Sequence, residues 1–312
     1  MRRFSLYLSP QQPPEVEPLE ELEESEQFVD FAEEPRVYEG SKPLESFSIT
    51  FVDGVRRTEC LVYIKDEETG DSFEGAFLSL GAGALRVEYG RLNMLTESLV
   101  EKRVSRILAI KGYAPIDELL GFKPLSVEGE LSVSINRYMK EELEAPVALK
   151  VLHRYPTDLL VCDGTLSHRL RNTPCLGLIK SMKSLYMDRA HLSLLYELKV
   201  GQRSPIIKLH YQKRQEEKEK VDKYTWYIRL SPHGGLAGLA RAELFPQKDF
   251  EEVIRLANLS ASLLPLFASS SFQDRRAPQN LLPVGRLEKF LRLHLGHYRI
   301  IRRRIESFLL HA

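Results

Sequence analysis

Cysteine is scarce in this chain of 312 residues. Its three copies, Cys60, Cys162 and Cys175, include no CxxC pair. Three cysteines at such spacing exclude a disulfide framework and a zinc ribbon, and suit a reducing compartment. Cys162 lies inside an apolar run and reads as a small buried hydrophobe. Long hydrophobic runs are also missing: none approaches the roughly 18 to 20 residues that cross a bilayer. The basic start, Met1-Arg2-Arg3, is followed by Pro10, Pro13 and then acids, which leaves no room for a secretory apolar segment. These absences predict a cytoplasmic protein with no membrane partner. No GxxxxGK[ST] sequence occurs, so any ATP-driven step must come from another chain.

Net charge is absent as well, since 44 basic residues balance 44 acidic ones, but the distribution is uneven. Ten acids and no base lie between Glu15 and Glu34, and setting them aside leaves 44 basic against 34 acidic residues. A basic body suits a polyanionic ligand, because cationic side chains displace counterions from phosphates. The acidic stretch reads as a solvated linker or short surface helix, with a contact for a basic partner or a cover over the protein's own basic face as alternatives.

Pro10, Pro13, Pro14 and Pro18, together with the acid run, mark residues 1–44 as an extension ahead of a single body over 45–312. Ser46 to Phe51 alternates with strand period, Cys60 to Lys65 is β-rich, and Ser72 to Leu80 reads as a strand returning from a turn at Asp66 to Asp71. Helices are predicted around Leu92 to Leu108, from Asn136 to His153 around Pro146, ending near Tyr186, and from His191 to Leu198. A hairpin has arms Pro205 to Gln212 and Tyr224 to Leu230, with an exposed, charged tip from Lys213 to Lys223. A short strand at Leu239 to Phe245 and three helices, Phe250 to Leu264, Val284 to Leu295 and Tyr298 to Leu309, complete the chain.

Two stretches place an aspartate where an apolar strand meets a glycine: Phe51-Val52-Asp53-Gly54 and Leu160-Val161-Cys162-Asp163-Gly164. Asp-Gly is also an ordinary turn. The order is nonetheless suggestive: strand with Asp, two antiparallel strands, helix with Glu, strand with Asp, later C-terminal helices. It predicts an α/β fold of ribonuclease-H-like type, a mixed sheet flanked by helices, in which both aspartates and a helical glutamate converge. Hard oxygen ligands of this kind hold two divalent cations about 3.5–4 Å apart for phosphodiester hydrolysis.

Phe51 to Arg57 (FVDGVRR) resembles the opening motif of the NurA nuclease family, prokaryotic DNA-end-processing enzymes that work with a hexameric HerA-type translocase. The resemblance continues in order through Leu159 to Leu166, Gly177 to Lys180 with Tyr186, Gly201 to Pro205, Thr225 to Leu230, Gly238 to Glu243, and Arg276 to Leu281 with Leu287-Glu288 and Leu291-Arg292. It implies a Mn²⁺- or Mg²⁺-dependent DNA nuclease that acts as a 5′-to-3′ exonuclease and single-strand endonuclease. Such an enzyme resects ends in double-strand break repair as a homodimer docked on the translocase.

By that resemblance Asp53 and Asp163 are the metal-binding aspartates. Glu144 best fits the helical glutamate, with Glu142 close behind and Glu141 less suited in spacing. A late histidine of the family is missing; Glu288 stands there as a candidate fourth ligand or a helix-surface acid, and Asn280 as a polar contact. Lys180 is placed to neutralise a phosphate. Arg56, Arg57, Lys180, Arg203 and Tyr227 are the candidate DNA contacts, Tyr227 by stacking on a base; Arg241 is expected to pair internally with an acid such as Glu243. The missing histidine also leaves open a non-catalytic DNA-binding or translocase-regulating subunit that keeps the fold.

Overall fold

The strand does not stop at Asp53: one strand runs from Phe47 to Asp66, so the separate stretches expected at Ser46 to Phe51 and Cys60 to Lys65 are a single strand, held by its continuous pairing with the next. The computed structural model describes residues 4–8, 28–42, 45–90, 94–113, 116–180, 185–187, 190–210, 223–232, 236, 238–270 and 278–311. In chain order the strands and helices begin with β1 (Phe4–Leu8), β2 (Phe28–Phe31), β3 (Tyr38–Glu39), β4 (Phe47–Asp66), β5 (Ser72–Tyr89), β6 (Leu95–Lys111) and β7 (Lys123–Val127). Then come α1 (Leu131–Tyr138), a π-helical stretch at Met139–Glu144, α2 (Ala145–Arg154), β8 (Leu159–Asp163), β9 (Cys175–Ile179) and α3 (Ser193–Glu197). The chain continues through β10 (Gln202–Arg203), β11 (Ile207–His210), β12 (Lys223–Arg229), β13 (Leu239–Leu244), α4 (Phe250–Leu263), α5 (Leu282–His294) and α6 (Tyr298–His311).

The described strands form one mixed sheet in the order β2-β11-β12-β13-β9-β8-β4-β5-β6-β7, with β1 on the outer end of β4 and β10 between β12 and β3. The fold is therefore α/β, a large mixed sheet flanked by helices. β8 runs parallel to both neighbours, β4 and β9. Its pairing with β4 ends at Val52 and Cys162, and from Asp53 onward β4 continues with β5 and β6 as an arm. One face of the sheet carries α4 and the start of α5, which enclose Phe51, Val161, Leu178 and Trp226. The other carries α1, the π stretch and α2 over Val52, Leu160 and Cys162. Each such side chain buried from water contributes about 1.5–3 kcal/mol. Among the described residues no helix is long and apolar enough to cross a membrane.

Several sequence expectations are corrected here. Residues Leu92 to Leu108, expected as helix, lie largely in β6, because its register with β5 from Gly75 to Tyr89 outweighs the helix propensity of its Leu, Glu, Lys and Arg residues. The helix expected to end near Tyr186 is preceded instead by β9, whose Cys175-Leu176-Gly177-Leu178-Ile179 is buried on both faces and so shows no alternation. The stretch read as an extension is in part woven into the sheet through β1, β2 and β3. Most of the acid run lies outside the described residues, as does the hairpin tip up to residue 222; Lys223, expected to be exposed, is buried against Glu243.

Candidate metal centre

Three neighbouring strands share one pattern on the α4–α5 face. Ile49 and Phe51 lead to Asp53 on β4, Leu159 and Val161 lead to Asp163 on β8, and Leu176 and Leu178 lead to Lys180 just past β9. Side chains two apart share a face. Each strand thus exchanges its last core residue for an ionisable one at the carboxyl ends of the parallel strands, where open α/β sheets bind ligands. The second Asp-Gly corner is a true turn, with Gly164 at φ +78. The first is not: Gly54 lies within β4 opposite Ala82.

Glycines at Asp53 serve close approach instead. On the α5 side, Gly83 pairs with Asp53, and a Cβ there would stand 2.9 Å from Leu291 and 3.3 Å from Leu287. Its absence lets α5 lie on the strand and brings Glu288 over the aspartates. Carboxylate oxygens of Asp53, Asp163 and Glu288 all lie within 4.8 Å of one another. On the other side, a Cβ at Gly54 would meet Glu144 Oε1 at 2.5 Å, so the bare backbone makes room for the helical acid. Glu144 ends the π stretch. Pro146 lacks an N–H to bond the Glu142 carbonyl, and the backbone widens just ahead of it, a feature frequent at functional sites.

Of the three helical candidates, Glu141 accepts from Ser167 Oγ at 2.8 Å and Glu142 pairs with Arg169, while Glu144 lies against Gly54 and acts on both aspartates by charge. It stands outside the group formed by Asp53, Asp163 and Glu288.

Asp53 is 7% exposed; its Oδ1 accepts from the Gly54 N–H at 2.7 Å and its Oδ2 is buried with no partner. Burial holds its carboxyl well above the usual range, and Asp163, Glu144 and Glu288 add to the rise while Lys180 opposes it. Glu144 is also raised by burial, against the pull of Lys140, with Asp163 adding to the rise. Lys180 Nζ donates to Asp163 Oδ2 at 2.7 Å and to Asn280 Oδ1 at 3.0 Å. Asn280 itself is 2% exposed. An orphaned buried carboxylate oxygen amid four acids and two lysines fits a divalent cation, and an all-oxygen donor set suits Mg²⁺ or Mn²⁺.

The structure treats the predicted DNA contacts differently. Lys180 belongs to the centre. Arg56 is half-buried, donates to Asn136 Oδ1 at 3.0 Å, and has its pKa lowered by burial. Arg57 is tied to Glu59 at 2.7 Å and to the Gly296 carbonyl at 2.9 Å, fixing the α5–α6 turn to β4. Arg203 is 0% exposed, paired with both oxygens of Glu33 and with Asn258 Oδ1 at 2.7 Å. Tyr227 is 0% exposed and its hydroxyl accepts from the Tyr186 N–H at 2.8 Å. Arg203 and Tyr227 are thus corrected from DNA contacts to core residues: complete burial leaves neither a backbone nor a base within reach. Arg241 faces the Tyr186 ring at 4.5 Å, with Nε and Nη1 lacking hydrogen-bond partners, and acts on Glu243 by charge alone.

Sequence reasoning missed Lys140, whose Nζ donates to the Thr165 carbonyl at 3.0 Å and lies 3.4 Å from that of Asp163. A basic residue one helical turn before a candidate ligand was the available signal. It also missed Gly83, in the small-residue run Gly81-Ala82-Gly83-Ala84.

A comparison with curated proteins finds no match. The NurA domain matches residues 47–287, most of the chain, and ends one residue before Glu288. With a match of that extent the chain belongs to the NurA family, a nuclease family involved in DNA end processing.

Proposed function

We propose that the protein is a divalent-metal-dependent deoxyribonuclease with a ribonuclease-H-like arrangement of its central strands. The observation that carries this reading is the convergence of Asp53, Asp163 and Glu288 within 4.8 Å, with Asp53 Oδ2 buried and unpartnered. Asp53, Asp163 and Glu288, with Glu144 beneath them, would hold Mn²⁺ or Mg²⁺. When bound, such cations supply Lewis-acid activation of water and neutralise charge at phosphorus.

The chain's own residues do the rest. Asp53 and Asp163 are fixed by strand backbone, so the carboxylates need little reorganisation on binding. Lys180, held by Asn280, presents an ammonium at the same edge, where it balances the acids and contacts a phosphate oxygen of the DNA. The low exposure of Asp53 keeps bulk water from screening these charges.

The wider reading follows the resemblance: 5′-to-3′ exonuclease and single-strand endonuclease activity in end resection, as a homodimer with a HerA-type hexameric translocase. The test is cleavage of end-labelled single- and double-stranded DNA in Mn²⁺, Mg²⁺ or EDTA by wild type and Asp163→Ala. Metal-dependent cleavage that Asp163→Ala abolishes is the expected result. Wild-type protein that cuts neither substrate, alone or with the translocase, would favour the non-catalytic subunit that the missing histidine suggests. Against that alternative stands Glu288 in the place of the histidine.

A further inference from the structure

Asp163 is the last residue of a strand, and strand ends are where backbone is least constrained. The turn that follows, Gly164-Thr165-Leu166-Ser167, is nevertheless held at several points. Gly164 N–H donates to the Leu178 carbonyl at 2.8 Å, Leu166 N–H to Glu243 Oε1 at 2.8 Å, and Ser167 Oγ to Glu141 Oε2 at 2.8 Å. The carbonyls of Asp163 and Thr165 are taken by Lys140, at 3.4 Å and 3.0 Å. A Cβ on Gly164 would stand 3.0 Å from Lys140 Nζ, so the turn and the ammonium fit against each other. Lys140 is one helical turn ahead of Glu144 on the same helical face. It reaches the turn from the helical layer, on the side of the sheet away from Glu288.

We propose that Lys140 is a positioning residue of the metal centre. By bridging the carbonyls of Asp163 and Thr165 from the segment that carries Glu144, it fixes the distance between the strand-borne and helix-borne carboxylates. This rests on the reading of the acid cluster as a metal centre. Lys140 touches neither DNA nor the cation; it acts through the backbone of Asp163. The role is separable from that of Lys180, which bonds the Asp163 carboxylate itself.

Charge and position predict opposite results when Lys140 is removed. A lysine that contributed only its charge would repel a cation, and its loss would tighten metal binding. A lysine that sets geometry would, on removal, loosen it; partners behind metal ligands typically govern about 10- to 100-fold in affinity or activity. The experiment is titration of the full chain with Mn²⁺, reading free Mn²⁺ by electron paramagnetic resonance, for wild type, Lys140→Met, Lys140→Arg and Lys150→Met. Lys150 pairs with Glu101 at 2.7 Å on α2 and serves as a control for the loss of one positive charge.

Expected is weakening of about ten-fold in Lys140→Met, recovery to within about three-fold of wild type in Lys140→Arg, and no change in Lys150→Met. Lys140→Met that binds Mn²⁺ as tightly as wild type, or more tightly, overturns the proposal. If Met does not fold, Lys140→Gln, one atom too short to span both carbonyls, takes its place: weakened binding supports the role, and unchanged or tighter binding overturns it. Wild-type protein that binds no Mn²⁺ sinks the metal centre and this inference together. Wild-type protein that binds Mn²⁺ but cuts no DNA fails the nuclease reading alone.

Discussion

Two buried groups of charges in this protein are built to opposite rules. Around Glu243 and around Arg203 the buried carboxylates find partners: Glu243 Oε1 accepts from Lys223 and from the Leu166 N–H, and Glu33 takes two bonds from Arg203 and one from the Ile206 N–H. Around Asp53 the acids outnumber the lysines and one oxygen has no partner. The pKa shifts follow. Burial pushes Glu243 up, but Lys223, Arg241 and the Leu166 N–H more than cancel it, leaving it below the usual range. Burial pushes Asp53 up and its acidic neighbours push it further. A protein retains an uncompensated buried carboxylate only against a stability cost, and such sites are where function concentrates.

The comparison is broken most forcefully at Asp163. Asp163→Ala should lower cleavage by about 10⁴-fold, about 5 kcal/mol of barrier, with little loss of fold; single-turnover rates at saturating Mn²⁺ measure it. An equal loss of thermal stability would mean that the acids are structural after all. Next is Arg203→Met, which strands Glu33 in the interior and should cost about 3–5 kcal/mol in urea unfolding. Unchanged stability with weakened DNA binding would restore Arg203 as a DNA contact.

Gly83→Ala should force α5 outward, costing about 1–3 kcal/mol through overpacking and weakening Mn²⁺ binding in step. Mn²⁺ affinity that survives the substitution would separate Glu288 from the centre.

The smallest effect has the opposite sign. Asp53→Asn in EDTA should stabilise the protein at neutral pH by about 1–2 kcal/mol, because it relieves a buried, unpaired charge. The raised folded pKa of Asp53 means that stability from this group is present below its unfolded pKa of about 3.9 and is lost as pH rises through the folded value. The advantage of Asn over Asp should therefore close as pH falls toward 4. Glu243 runs the other way: its contribution is present above its unfolded pKa and is lost as pH falls through the lowered folded value. Urea titrations across pH of wild type, Asp53→Asn and Glu243→Gln distinguish the two; parallel curves would erase the contrast.

The residues read alone gave local elements and their order along the chain. Alternation and turn residues revealed the two ends of β4 and its turn into β5, though not that β4 is one strand, along with β8, the β11–β12 hairpin and the three C-terminal helices, and the two Asp-Gly pairs marked the aspartates at the heart of the cluster. Signals that depend on neighbours were misleading. β6 reads as helix because half of it is an exposed, charged edge, and β9 has no period because both its faces are covered. Arg203 and Tyr227 look like ligand contacts because residue type does not encode burial. Packing from distant segments set Glu144 against Gly54, brought Glu288 to the aspartates over Gly83, and set Lys140 behind Asp163. Those choices depend on how closely two helical layers approach the opposite faces of one strand, a distance set by missing Cβ atoms and packed side chains from segments far apart in the chain.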